Sequence, residues 1–200
     1  MAVDYLLGLD LGQARDRSVL AILERTWKAH ADYPDRPVSQ YAIRYLRCWP
    51  LQTSYTSVAA DLAGLVRRPP LNWPVLVVDQ TGVCQAVVDW LVRANLAAMP
   101  KPVVITGGRR STQSSAGAWH VPKKELIGSL QLLLRSRRLQ VAALPERATL
   151  LQELQAFCVK LTAAAHERFE ARRPGDHDDV VMAIALAAWW GERTGAAPRR

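Results

Sequence analysis

The sequence has few cysteines, and those present do not form a set. Cys48, Cys84 and Cys158 are odd in number and far apart. They form neither a Cys-x-x-Cys pair nor the short Cys/His spacing of a zinc site. The sequence therefore argues against a cysteine-bound metal, and we expect reduced thiols in the protein core.

Long apolar segments are missing as well. No apolar run approaches the roughly 20 residues that a membrane-spanning helix needs. The N-terminus has no basic segment leading into a long apolar stretch, and the chain contains no internal repeat. These absences predict a cytoplasmic protein that has no membrane partner.

A phosphate-binding loop of the form Gly-x-x-x-x-Gly-Lys-Ser/Thr is also absent. The segment from Gly107 to Thr112 has no lysine before its Ser-Thr pair and does not match that pattern. ATP-driven motion is therefore not predicted for this chain.

The composition that is present suits one globular domain with a basic surface. Half of the 200 residues are apolar, which is enough for a single core. We predict one domain over residues 1–194 and a flexible basic tail over residues 195–200. The net charge of +8 suits a polyanionic partner better than an acidic small substrate.

The spacing of apolar residues predicts the order of secondary structure. Strands are predicted within 5–12, 18–23, 40–48, 74–79 and 102–106, with Leu46 out of step in the third. Helices are predicted at 54–66, 83–94, 123–134, 146–161 and 177–193, with a loop at 107–120 and a connector at 139–142. This order predicts an α/β fold with a mixed five-stranded sheet, in which an antiparallel meander precedes parallel strands and helices flank the sheet.

Aspartates lie at the ends of two predicted strands and at the start of the last helix. Asp10 follows the first apolar run, Asp79 ends the fourth, and Asp178 and Asp179 precede the last helical pattern. Open α/β sheets usually keep their sites at the carboxyl ends of the strands. We therefore expect these four side chains to meet, and they are our candidate catalytic residues and metal ligands.

Crowded carboxylates favour a divalent cation, because they otherwise repel and raise one another's pKa. Magnesium and manganese prefer hard oxygen ligands. Two such ions held roughly 3.5–4 Å apart suit phosphodiester hydrolysis. The pattern predicts a two-metal nuclease in which Asp10 bridges the ions and Asp79 holds the second one.

Each aspartate also has a purely structural explanation. Asp10 suits a turn at a strand end, Asp79 suits a helix cap, and a helix N-terminus stabilises the charge of Asp178 and Asp179. Adjacent helical residues diverge by about 100°, so spacing does not rank the last two as ligands. Asp176 is the expected cap of the last helix.

Four basic residues are candidate DNA contacts. Arg109 and Arg110 lie in the predicted loop, and Lys123 and Lys124 begin the helix after it. Positive charge beside the aspartates suits a phosphate backbone. A solvated surface explains the same residues equally well.

The motifs occur in a fixed order along nearly the whole chain. They are Gly8-Leu9-Asp10, Val77-Val78-Asp79 with Gly82, Lys123 with the Leu-rich helix behind it, Leu151 to Phe157, and His177-Asp178-Asp179-Val180-Val181-Met182-Ala183. Together they resemble the nuclease domain of tailed-phage large terminase subunits, a ribonuclease H-like family that cuts concatemeric viral DNA during genome packaging. The last motif is the most specific.

The resemblance implies a ribonuclease H-like fold whose central first strand carries the first metal-binding carboxylate. It implies Asp10, Asp79 and either Asp178 or Asp179 as ligands of Mg²⁺ or Mn²⁺. It also implies double-stranded DNA as substrate, and a packaging ATPase, a small terminase and a portal as partners in a host cytoplasm.

Two alternatives stay open. One is a nuclease similar to Holliday-junction resolvases, which also carry paired acidic residues on a final helix. The other is an inactive ribonuclease H-like module that only binds DNA or a packaging partner. An actin-like ATPase or sugar kinase, suggested by the run from Gly8 to Gly12, is disfavoured because that family needs two lobes and 200 residues hold one.

Overall fold

A mixed eight-stranded sheet forms the centre of the protein. The computed structural model describes residues 3–12, 16–29, 37–81, 87–88, 90–91, 96–161, 167–171 and 178–195, with the backbone alone for 156–161 and 167–171. The strands of this sheet are β1 (Val3–Asp10), β2 (Val19–Lys28), β3 (Val38–Cys48), β4 (Val75–Asp79), β5 (Met99–Thr106), β6 (Thr112–Gln113), β7 (Trp119–Pro122) and β8 (Leu139–Val141). A separate antiparallel pair consists of β9 (Phe157–Leu161) and β10 (Glu167–Ala171).

The spatial order of the large sheet is β6-β7-β5-β4-β1-β2-β3-β8. Strands β1, β2 and β3 form an antiparallel meander, and β4 runs parallel to β1 on its other side. Strand β5 runs parallel to β4. The five predicted strands and their directions are therefore confirmed, and β1 is central as expected.

Helices cover both faces of the sheet. They are α1 (Tyr55–Val66), α2 (Lys123–Arg135), α3 (Arg147–Ala156) and α4 (Asp179–Arg193), and residues 87–88 and 90–91 are also helical. Alternate residues of β1 point to opposite faces. Leu7 and Leu9 pack in one cluster with α1, whereas Leu6 packs in the other with α2 and α4.

Three predictions of secondary structure are wrong. The predicted loop at 107–120 contains β6 and the start of β7, and the predicted connector at 139–142 contains β8. The predicted helix at 146–161 ends at Ala156, and β9 follows it. Strands of two to four residues show too little alternation to be recognised locally, and β9 is defined by its pairing with β10.

The out-of-step Leu46 is explained by an irregularity between β2 and β3. Ile22 pairs with Tyr45 and Leu23 pairs with Ile43, so one extra residue of β3, Arg44, lies between them. Such a bulge shifts the inward-facing positions of the strand by one residue. As a result, Ile43 and Leu46 are both buried.

For the predictions about membrane helices and cysteines, the structure gives information only within the described residues. No helix within the described ranges is long and apolar enough to cross a membrane. Cys48 is a free, half-buried thiol, and burial raises its pKa to about 11. Cys84 and the side chain of Cys158 lie outside the described residues.

A buried arginine fastens the β1–β2 hairpin to the end of α4. Arg25 is 6% exposed. Its Nε donates to Asp4 Oδ1 at 3.0 Å and its Nη2 donates to Asp4 Oδ2 at 2.6 Å. Its Nη1 donates to the carbonyl oxygen of Gly191 at 2.7 Å and to Thr194 Oγ1 at 3.1 Å. The guanidinium therefore anchors the last turn of α4.

We expect Arg25→Met to lower the free energy of unfolding by about 3 kcal/mol, because it leaves a buried carbonyl and a carboxylate without their donor. The Asp4 side chain is 40% exposed, so water partly replaces the lost donor. The expected loss of stability therefore lies at the lower end of the roughly 3–5 kcal/mol that the removal of one partner of a buried ion pair costs. Urea unfolding measures the change. Arg44→Met is the matched control, since the pair of Arg44 with Glu24 is exposed on the arginine side and its loss costs under about 1 kcal/mol. Equal losses in both variants would contradict the anchoring role.

Candidate active site

Asp10 and Asp79 lie side by side at the carboxyl ends of two parallel strands. Leu9 of β1 pairs with Val78 of β4, one residue before each aspartate. Asp79 is 9% exposed, and Asp10 is half-buried. Parallel neighbours end at the same edge of a sheet, which explains why the sequence positions of these two residues predicted their proximity.

The N-terminus of α4 supplies the other two aspartates. Asp178 occupies the N-cap position and Asp179 the first helical position, whereas Asp176, the predicted cap, lies outside the described residues. Helix α4 packs directly on β1, because Gly8 has no side chain: a Cβ there would lie 1.9 Å from the carbonyl oxygen of Ala183. This close approach brings the start of α4 to the carboxyl end of β1.

The four predicted aspartates line one cavity of about 320 Å³. The structure therefore brings together all four aspartates that the sequence predicted as candidate ligands. The other residues of the cavity wall are Leu11, Gly12, Asp16, Thr81, Ile105, Lys123 and Met182. The role of the aspartates as metal ligands stays a prediction.

Burial is the largest influence on the pKa of Asp10 and of Asp79. Burial raises the pKa of Asp10 well above its usual range, and the charges of Asp79, Asp179 and Asp178 raise it further, in that order. Burial also raises the pKa of Asp79, against the hydrogen bonds from Thr81 and the charge of Lys123. Burial and the neighbouring carboxylates therefore both disfavour the ionised form of Asp10.

Among the described residues, hydrogen bonds from the protein reach the carboxylates of Asp79, Asp178 and Asp179. Lys123 Nζ donates to Asp178 Oδ2 at 2.7 Å. The backbone amide of Thr81 donates to Asp79 Oδ1 at 2.7 Å, and that of Arg17 donates to Asp179 Oδ2 at 3.3 Å. Within the described residues, no three His, Cys, Asp or Glu side chains are arranged as a ready metal-binding group.

The predicted basic residues are divided between the cavity and the surface around it. Lys123 belongs to the cavity wall through its ion pair with Asp178. Arg109 and Arg110 are exposed and follow the carboxyl end of β5, and Lys124 is exposed where α2 begins after β7. Since β7 runs parallel to β5, all of them follow the same edge of the sheet as the aspartates. Their contact with DNA stays a prediction.

Three residues near the aspartates are not among the candidate site residues predicted from the sequence. Asp16 follows the glycine turn after Asp10 and lines the same cavity. Thr81 comes two residues after Asp79, a spacing at which an Asp often accepts from the backbone. Glu153 bonds to the start of α4 from 27 residues away, and nothing in the local sequence indicates that contact. Burial raises the pKa of Glu153 to about 7.

No protein-family model matches the sequence, and no curated protein is significantly similar to it. Solved structures do match. The large terminase nuclease of thermophilic phage G20c with bound magnesium is 26% identical, with a TM-score of 0.64 over 93% of this chain and 80% of that one.

Two more distant structures share the fold. The nuclease domain of the bacteriophage SPP1 large terminase with bound Mn has a TM-score of 0.54 at 12% identity, over 96% of this chain and 86% of that one. The bacteriophage HK97 large terminase has a TM-score of 0.55 at 13% identity, over 95% of this chain and 40% of that one.

These structures confirm the resemblance that the motifs predicted, because the structural neighbours are large terminase nucleases. The ribonuclease H-like fold is confirmed with them. Its five predicted strands form the middle of the sheet, and β6, β7 and β8 widen it to eight strands.

Proposed function

Because the chain has the fold of large terminase nucleases, we propose that it is a metal-dependent endonuclease that hydrolyses phosphodiester bonds of double-stranded DNA. The observation that supports this proposal best is the convergence of Asp10, Asp79, Asp178 and Asp179 on one cavity. Three separate elements, β1, β4 and α4, contribute these carboxylates. A merely structural role for each aspartate does not require them to share a cavity.

The donor set fits divalent cations of the Mg²⁺ or Mn²⁺ type. Such ions prefer carboxylate oxygen, and five carboxylates line the cavity, those of the four predicted aspartates and that of Asp16. Asp10 and Asp79 would hold the ions from the sheet, and Asp178 and Asp179 would hold them from the helix. When bound, two such ions polarise the phosphate and lower the pKa of an attacking water.

The other residues of the cavity orient the carboxylates and the substrate. The amide of Thr81 fixes the Asp79 carboxylate, and Lys123 fixes that of Asp178. The Lys123 ammonium also places a positive charge where a DNA phosphate would approach the aspartates. Leu11, Ile105 and Met182 supply apolar wall, which limits the access of water.

DNA binding follows from the basic surface around this edge of the sheet. Arg109, Arg110 and Lys124 are exposed there, and the whole chain carries a net charge of +8. Contacts of this kind act on the phosphate backbone and carry no sequence information. We therefore propose low sequence specificity and an affinity that falls steeply with salt.

In its biological setting, the proposed reaction is the cutting of concatemeric viral DNA during genome packaging in the host cytoplasm. The similarity to large terminases supports this setting. A packaging ATPase, a small terminase and a portal are the partners that such a role implies.

The test is cleavage of supercoiled plasmid by the purified chain. We expect nicked and linear products with Mn²⁺ or Mg²⁺, and no products after EDTA is added, because the proposed hydrolysis needs the divalent ions that the carboxylates of this cavity would hold. Cleavage that persists in EDTA would contradict the proposal.

A four-way DNA junction and a linear duplex, tested in parallel, separate the alternatives. Cutting of the junction alone would favour a Holliday-junction resolvase. Salt-sensitive binding of the linear duplex without cleavage of any substrate, in any metal, would favour an inactive module.

A further inference from the structure

The free amides at the start of α4 are capped by a side chain from another helix. Glu153 of α3 accepts hydrogen bonds through Oε2 from the amide of Val180 at 2.9 Å and from that of Val181 at 3.2 Å. The first amides of a helix have no partner within the helix itself. Glu153 therefore satisfies two of them from outside.

The side chain of the N-cap residue of α4 does not cap the helix. Asp178 occupies the N-cap position, where an Asp side chain ordinarily accepts from the second or third amide, but its side chain makes no capping hydrogen bond. Its carboxylate is turned to Lys123 instead. The cap from Glu153 thus leaves the carboxylates of both Asp178 and Asp179 in the cavity wall.

We propose that Glu153 is a positioning residue of the active site, which holds the first turn of α4 so that Asp178 and Asp179 face the cavity rather than their own helix amides. This inference rests on the proposed metal-dependent function. Without Glu153, the amides of Val180 and Val181 lose their acceptor, and Asp178 occupies the N-cap position from which an Asp side chain accepts from the second or third amide. That replacement would withdraw Asp178 from the site.

A set of four variants tests this role. Glu153→Ala removes the cap, and Glu153→Gln keeps an acceptor oxygen without the charge. Glu153→Asp keeps the charge on a side chain that is shorter by one methylene group. Gln152→Ala is the matched control, since Gln152 is the exposed neighbour on the same helix. Circular dichroism establishes which variants are folded. If Glu153→Ala does not fold, Glu153→Asp takes its place as the variant that lacks the cap.

The first readout is independent of DNA cleavage. We expect hydrogen exchange at the amides of Val180 and Val181 to accelerate roughly five- to ten-fold in Glu153→Ala and in Glu153→Asp, the size of a lost helix cap. Glu153→Gln and Gln152→Ala should exchange as the wild type does. Unchanged exchange in Glu153→Ala would overturn the cap and the positioning role with it.

The second readout is the binding of MnCl₂ measured by calorimetry. We expect about ten-fold weaker Mn²⁺ binding in Glu153→Ala and recovery to within about three-fold of wild type in Glu153→Gln, because the neutral amide restores the hydrogen bonds. Faster exchange with unchanged Mn²⁺ binding would overturn the inference while the nuclease proposal stands. Failure of the wild type to bind Mn²⁺ would overturn the nuclease proposal and this inference together.

Discussion

Replacing Asp10 by Asn is expected to abolish DNA cleavage and to leave the metal-free protein at least as stable as the wild type. Burial and the charges of Asp79, Asp179 and Asp178 all raise the pKa of Asp10. The ionised carboxylate of Asp10 therefore destabilises the folded protein when no cation is bound. An amide of nearly the same shape removes that repulsion. It also removes the carboxylate that is predicted to bridge the two ions.

The expected loss of cleavage is at least about a thousand-fold, which corresponds to about 4 kcal/mol of transition-state stabilisation. The rate of plasmid nicking in Mn²⁺ measures it, and urea unfolding in EDTA measures stability. Asp61→Asn is the matched control, because it removes the charge of an exposed carboxylate that pairs with Arg47 away from the cavity wall. The amide oxygen of Asn can still accept the hydrogen bond that Trp49 Nε1 donates to Asp61 at 2.8 Å. It should leave cleavage within about two-fold of wild type and stability within about 1 kcal/mol.

A different result would change the interpretation of the site. If Asp10→Asn cleaves as the wild type does, the cavity is not the active site. If the variant loses cleavage but also unfolds, Asp10 has a structural role at the end of β1, which is the alternative that the sequence left open.

The positions of the aspartates could be predicted because they follow from local patterns. A buried strand is recognisable from its apolar run, and the carboxyl ends of parallel strands share one edge. Asp10 and Asp79 are therefore placed once β1 and β4 are recognised. The same argument applies to Leu46, whose break in alternation signals the bulge at Arg44.

Other features could not be predicted, because they depend on which elements meet. The ion pair between Lys123 and Asp178 joins residues 55 positions apart. The cap from Glu153 joins residues 27 and 28 positions apart. Short strands such as β6 and β8 exist only because a neighbouring strand completes their hydrogen bonds. Local sequence gives the chemistry of these groups but not their partners.

Replacing Gly8 by Ala is expected to destabilise the protein strongly and to weaken its Mn²⁺ binding. The added Cβ would lie 1.9 Å from the carbonyl oxygen of Ala183 and 3.1 Å from the amide nitrogen of Ala187. Both obstacles are backbone atoms of α4, so no side-chain rotation relieves the overlap. Helix α4 must move away from β1 by more than 1 Å to restore a contact distance of about 3.5 Å.

That displacement affects stability and the site together, because most residues of α4 are buried and its start carries Asp178 and Asp179. We expect a loss of about 3 kcal/mol or more in the free energy of unfolding, the upper end of the usual cost of overpacking a core. We also expect at least ten-fold weaker Mn²⁺ binding, because the helix carboxylates move away from Asp10 and Asp79.

Gly64→Ala provides the matched control for the same chemical change. Gly64 lies in α1, and a Cβ added there meets no atom within 4 Å. It should stabilise the protein by up to about 1 kcal/mol, since Ala favours a helix over Gly, and it should not alter Mn²⁺ binding. Urea unfolding and calorimetry with MnCl₂ measure both variants. If Gly8→Ala were as stable as the wild type and bound Mn²⁺ equally well, the backbone contact between β1 and α4 could not be what positions the two helix carboxylates.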